Sequence, residues 1–283
     1  MTIPRLLRMT ALAIVALATF AGGLSYAIYR QTRAEIAPLH LEAAAHDSTT
    51  VIDRDNRLLR AFTTPAGNWR LPIDPTEVDQ RYLKILFAFE DQRFYSHSGI
   101  DARAIARAAW QFATHGRIVS GGSTLTMQVA RLLDGTHERS LTGKLRQMLR
   151  ARELERALSK TEILRLYLRL APFGGNLEGV RAASLAYFGK EPRHLSISQA
   201  ALLVALPQSP EARRLDRFPE AAARARNRIL DRAVKAHVIT AAEAEKARTE
   251  AVPRGRRDFP KLAPLRAEAE IAALPGEATI KLT

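Results

Sequence analysis

Two neighbouring carboxylates, Glu90 and Asp91, close an otherwise apolar run in "RYLKILFAFEDQRFYSHSGID", which covers residues 81–101. Ile85 to Phe89 are all apolar. A carboxylate beside them loses solvation, its pKa rises, and it becomes suited to accept or deliver a proton near neutral pH. The plainer alternative is that both acids surface at a helix end and pair with Arg93. A second stretch, "GRIVSGGSTLTMQVARLLDG" over residues 116–135, places Gly121 and Gly122 before a helix that Ser123 can cap. Such a helix start presents free N–H groups to an anion, although an ordinary glycine loop before an ordinary helix reads the same way. Basic residues then accumulate at Arg131, Arg139, Lys144, Arg146, Arg150 and Arg152. Part of that charge is a solvated helix face.

The elements that position these groups are mostly helical. Val78, Tyr82, Ile85, Leu86 and Phe89 fall at helical spacing, with Phe87 and Ala88 making the last turn apolar nearly all round and therefore buried. Leu125, Val129 and Leu132 form the inner stripe of the helix after the glycines. Helix-start signals stand at Thr76-x-x-Asp79, Asp101, Ser123, Ser159-x-x-Glu162 and Ser196-x-x-Gln199, and Gly99, Gly116, Gly135, Gly174-Gly175 and Gly189 fall where loops or caps are expected. Before all of them, "TVIDRDNRLLRAF" has two β-prone runs flanking Asp55-Asn56, the pattern of a hairpin. The stretch from Pro253 to Thr283 reads as a loosely attached tail.

The chain has 283 residues, 47% of them hydrophobic, enough for one sizeable core with appendages. Its 43 Lys+Arg against 29 Asp+Glu give +14, a balance suited to polyanions, anionic membrane surfaces or phosphate-bearing substrates. It has no cysteine, which excludes a disulfide framework and a thiolate metal site. From Met9 to Tyr29 the sequence carries no charge. As a helix it matches the thickness of a bilayer's hydrocarbon core, and Arg5 and Arg8 before it favour a cytoplasmic N-terminus. A cleaved signal peptide ending near Ala27 is the competing reading; both export the remainder.

Three segments, "FEDQRFYSHSGID", "GGSTLTMQVARLL" and "KTEILRLYLRLAPFGGNLEGVRAASLAYFGK", resemble successive motifs of the peptidoglycan glycosyltransferase family (glycosyltransferase family 51), the polymerising domain of class A penicillin-binding proteins. "TMQVARLLD" and "APFGG" are closest to the wording of the penicillin-binding protein 1C type. The resemblance implies a mainly α, lysozyme-like lobe with a small membrane-proximal jaw and the short N-terminal β-hairpin, preceded by one transmembrane helix. It divides the chain into a cytoplasmic N-terminus (1–8), an anchor (9–29), a linker (30–50), the glycosyltransferase domain (51–232) and a C-terminal helical segment and tail (233–283). It further implies that Glu90 is the general base, that Asp91, Ser123, Gln128, Arg131, Arg139 and Lys144 line the substrate site around the donor phosphates, and that a divalent cation (Mg or Mn) accompanies them. The expected partners are lipid II, the nascent glycan strand, the cytoplasmic membrane and a separate transpeptidase, with no nucleic acid. The expected location is the bacterial inner membrane, single-pass, with the catalytic domain on the periplasmic side. His97 is expected to fix the turn rather than take part in chemistry.

Two departures stand out against that pattern. Where the family reads Arg-Lys-x-x-Glu, this chain has Gly143, Lys144, Leu145, Arg146 and Gln147, so the second catalytic carboxylate is replaced by an amide that cannot titrate. Arg169 stands where an asparagine is common, a change that either restores a positive charge nearby or is neutral. The sequence contains no Ser-x-x-Lys, so a polymerase domain alone is expected. Two rival functions share parts of the pattern: a lytic transglycosylase or lysozyme-like hydrolase, which also needs one Glu, and a non-catalytic glycan-binding module, for which Gln147 argues. Phosphate-site residues separate polymerase from hydrolase, because cleaving a finished glycan involves no pyrophosphate.

Overall fold

The structure, a computed structural model, describes residues 5–36, 41, 46–116, 121–135, 140–274 and 276–282, with the side chains at 5–9, 11, 13 and 18 outside that set. In chain order the main elements are α1 (Arg5–Glu35), β1 (Thr50–Ile52), β2 (Leu58–Ala61), β3 (Trp69–Arg70), α2 (Gln80–Glu90), α3 (Ala102–His115), α4 (Leu125–Asp134) and α5 (Leu141–Ala157). They continue with α6 (Lys160–Leu170), β4 (Leu177–Glu178), α7 (Val180–Phe188), α8 (Ile197–Ala205), α9 (Pro219–Lys235), α10 (Ala241–Thr249), α11 (Pro264–Ala273) and β5 (Thr279–Lys281). The expected mainly helical architecture is what forms.

Local signals explain where the helices begin. Ser159 and Glu162 form a reciprocal capping box at α6, Ser196 and Gln199 do the same at α8, and Asp101 caps α3 by accepting from Ala104 N. At the entry to α2 the expected Thr76-x-x-Asp79 start resolves into two steps. Asp74 boxes with Glu77 around a short 3-10 turn, and Asp79 then caps α2, accepting from Arg81 N at 2.8 Å and from Leu195 N at 3.1 Å. Ahead of α4 the cap is Thr124, not Ser123: Thr124 Oγ1 accepts from Met127 N and donates to Gly99 O at 2.7 Å, leaving Ser123 one residue outside the helix.

The core gathers around α8, whose Ala200 to Ala205 are all buried, with α2 and α9 packed against it. Tyr82, Ile85 and Leu86 of α2 are buried there as their spacing predicted. The last turn differs from expectation: Phe87, Ala88 and Phe89 are only half-buried, because that turn forms a wall of a cleft and not the centre of the core. The domain limit expected at 232 falls inside α9, and Ala233, Ala244 and Ala247 beyond it belong to the same core.

The hairpin forms as expected, with β1 antiparallel to β2 and Asn56 at φ 63° in the turn, a conformation asparagine tolerates. The supposed loose tail proves to be built in. β5 pairs parallel with β1, making β1 the central strand, and Ile280 packs with Val51 and Ala267 in a small second core. Phe259 packs at a tilt against Trp69 with ring centroids 4.5 Å apart, and Arg256 donates to Asn176 Oδ1 at 3.0 Å. A tail rich in Ala, Arg and Pro has weak periodicity of its own, and docks because the hairpin leaves β1 an unpaired edge.

The membrane span expected over 9–29 is not established by the structure: among the described residues no helix is long and apolar enough to cross a membrane. Part of that segment, the side chains at 9, 11, 13 and 18, lies outside the described residues. What is described is a 31-residue helix with Leu12, Ile14, Val15, Leu17, Phe20 and Leu24 exposed. Its far end is tied to α5 by Arg33–Glu153 at 3.0 Å and Arg146–Glu35 at 3.2 Å.

Gly99 joins the first motif to α5. Its φ is +85°, and a Cβ there would lie 2.7 Å from the backbone oxygen of Ala151, which cannot swing away. Gly99→Ala is therefore expected to destabilise the fold by about 1–3 kcal/mol from backbone strain alone. A urea midpoint unchanged from wild type would show that the 99–101 turn relaxes freely.

Candidate active site

Glu90 is the last residue of α2, so its carboxylate sits at the negative end of the helix dipole. It lines a cleft of about 390 Å³ shared with Arg93, Ser123, Arg232 and Lys235. Burial raises its pKa above the ordinary 4.5. The opposing influences are hydrogen bonds from Gln128 and Gln208 and the charges of Arg232 and Arg131. Gln128 Nε2 donates to Oε2 at 2.8 Å and Gln208 Nε2 to Oε1 at 3.0 Å. A carboxylate that is desolvated yet held by neutral amides remains basic enough to take a proton.

Asp91, expected at the substrate, borders the same cleft while its carboxylate is engaged within the protein. It is 6% exposed; its carboxylate accepts from Leu125 N at 3.0 Å and meets His97 Nε2 at 2.9 Å. A buried carboxylate must be satisfied, and here satisfying it fastens the first motif to the start of α4. The expected structural role of His97 agrees with this pairing. Arg93 is likewise engaged, its Nε donating to Asp101 Oδ2 at 3.0 Å, so the surface pairing of Arg93 with Glu90 and Asp91 does not occur.

Ser123, freed from capping, accepts a hydrogen bond from Lys144 Nζ, which brings the α5 cation to the cleft wall. Lys144 is half-buried and its pKa is lowered, first by that burial and then by the neighbouring charge of Arg131. Gln128 therefore contacts Glu90, Arg131 acts on it through charge, Ser123 lines the same cleft, and Lys144 is reached through Ser123. Arg139 lies outside the described residues. Gln147 is half-buried on α5, one turn beyond Lys144, and Gly143 before them is buried. Arg150 is spent on structure, pairing with Asp134 at 3.1 Å and Glu153 at 3.0 Å. Arg169 adds no charge to the cleft either, because it pairs with Asp47 of the linker at 2.6 Å.

Sequence reading missed Gln208 and Arg232. Gln208 lies in "LPQSP", a turn with no local signature of chemistry, and Arg232 sits among many arginines of α9. Its place in the cleft, its charge acting on Glu90 and its position above the Phe89 ring, 5.0 Å from the centroid, single it out. His137 and Glu138, between α4 and α5, lie outside the described residues. Among the described residues no three His, Asp or Glu side chains cluster as ligands, and position 147 offers an amide.

A mainly helical domain here sets one desolvated carboxylate, suited to taking a proton, in a cleft with cationic side chains suited to an anion. The transglycosylase family model matches residues 55–234, and the chain belongs to that family. Penicillin-binding protein 1C of Escherichia coli (strain K12) is 47% identical over 228 residues, covering 81% of this chain and 29% of that protein. Penicillin-binding protein 1A of Aquifex aeolicus (strain VF5) is 39% identical over 188 residues, covering 66% and 26% respectively. The chain therefore spans less than a third of the length of these relatives. The crystal structure of Penicillin-Binding Protein 1A from Haemophilus influenzae aligns at TM-score 0.42 and 18% identity, over 83% of this chain and 27% of that one, too loosely to define the fold.

Proposed function

We propose that the protein is a membrane-anchored peptidoglycan glycosyltransferase that polymerises lipid II into glycan strands and releases undecaprenyl pyrophosphate. The observation that carries this reading is the desolvated Glu90, held by two amides in a cleft that Ser123, Arg232 and Lys235 line, with the Lys144 ammonium bound to Ser123. Glu90 takes the proton of a sugar hydroxyl as that oxygen attacks the anomeric carbon of the lipid-linked chain. The bond to pyrophosphate breaks, and the leaving oxygen's charge develops against Lys144, Ser123 and Arg131. A hydrolase acting on finished glycan has no use for those cations.

Purified protein with fluorescent lipid II is expected to yield glycan ladders on a gel. Release of anhydro-sugars from mature peptidoglycan, with no ladder, would move the assignment to a lytic enzyme. The partner that cross-links such strands would be a separate transpeptidase.

The apolar side chains displayed along α1 suit a bilayer, and α3 adds Trp110 and Phe112, 71% and 57% exposed, as a second apolar surface for a membrane-proximal jaw. Active sites that meet a polyprenyl donor must lie at the membrane surface. The protein is expected to stay in the membrane pellet after alkaline carbonate extraction, and a C-terminal alkaline phosphatase fusion to be active. Full release by carbonate would rule out α1 as an anchor.

A further inference from the structure

Glu90 is held from two sides by elements far apart in the chain. Gln128 comes from α4, 38 residues away, and Gln208 from the short turn Leu206–Gln208 that follows α8, 118 residues away. Each carboxylate oxygen receives one amide. Gln208 is an exposed residue, at a place where a glutamine amide is satisfied by water, and it gains no core packing by reaching across to Glu90. The other groups facing this carboxylate act differently. Tyr82 of α2 and Tyr167 of α6 are buried with their hydroxyls unpartnered, while Arg131 of α4, Arg213 of the turn Glu211–Arg213 and Arg232 of α9 act through charge.

We propose that Gln208 is a positioning residue for the base: together with Gln128 it fixes the Glu90 carboxylate in one orientation and supports its ionised form with a neutral donor. This role rests on the glycosyltransferase reading above. The neutrality matters. A lysine or arginine in hydrogen-bonding contact would also orient the carboxylate, but would hold it too acidic to accept a hydroxyl proton efficiently, whereas an amide leaves its basicity largely intact. An sp² oxygen has two lone pairs, so one donor per oxygen keeps the other free for the attacking hydroxyl.

Two substitutions with opposite signs test the role, and exposure of the site makes either compatible with folding. Gln208→Leu removes the donor at similar volume; the acid limb of the pH profile of kcat/KM is expected to move up by about one unit, a loss of about tenfold below the limb and a smaller one above it. Gln208→Lys places a cation there and is expected to move the same limb down. The ¹³C carboxylate resonance of Glu90, identified by its absence in Glu90→Gln, should titrate in the same two directions with no substrate present. A Gln208→Leu protein that loses the same factor at every pH, with the Glu90 titration unmoved, would overturn the role and leave Gln208 a structural or substrate contact. A wild type that makes no glycan at any pH would count against the glycosyltransferase reading instead, and the carboxylate titration would then decide the role of Gln208 by itself.

Discussion

Glu90→Gln is expected to reduce polymerisation by about two to four orders of magnitude, the usual contribution of a general base, because Gln147 stands where a second carboxylate would share the work. The same substitution is expected to stabilise the folded protein at neutral pH. The folded state raises the Glu90 pKa above 4.5, chiefly by burial, so its contribution to stability is fully present below about pH 4.5 and is lost as pH rises through the folded value. An uncharged glutamine avoids that loss. The melting temperature of Glu90→Gln should therefore match wild type near pH 4 and exceed it once pH has risen through the folded value. Retained glycan synthesis in Glu90→Gln would place the base elsewhere, and a stability difference independent of pH would mean that the carboxylate is not desolvated in the folded protein.

Lys144→Met is expected to lower kcat/KM for lipid II by on the order of 10²–10³-fold, comparable with removing a donor from a preorganised anion site. The long apolar stem of methionine fills the half-buried space on α5, so the loss reports the charge and its hydrogen bond to Ser123 rather than a packing defect. Lys144→Arg keeps the charge but puts a planar fork where one Nζ fits against Ser123 Oγ, and should recover only part of the rate. Ser123→Ala removes the acceptor that aims Lys144 and should cost less, about tenfold, consistent with losing one hydrogen bond while keeping the cation. A Lys144→Met enzyme within a few-fold of wild type would remove this lysine from the phosphate wall.

What the sequence by itself determined are the features set by neighbours along the chain. Ser159 with Glu162, and Ser196 with Gln199, start helices because a side chain three residues on reaches back to the cap, and no distant group is needed. The hairpin turns at Asp55-Asn56, and the buried face of α2 follows from the spacing of Tyr82, Ile85 and Leu86. Glu90 was legible as the end of that apolar run. The tertiary structure alone decided which groups meet it. The sequence pattern assigns the cap before α4 to Ser123. Thr124 takes the role instead, its hydroxyl bridging Met127 N and Gly99 O while Asp91 holds Leu125 N, and Ser123 is left for Lys144. Asp91, one residue from Glu90, looked equally able to face substrate, yet its carboxylate is engaged by His97 and by the α4 start, since a buried carboxylate must find donors within the protein. Gln208 reaches Glu90 across 118 residues, and Arg169 reaches Asp47 across 122. β5 finds β1 from the opposite end of the chain. None of these pairings leaves a local trace, because the free energy that selects them comes from burying surfaces that meet only once the helices have packed.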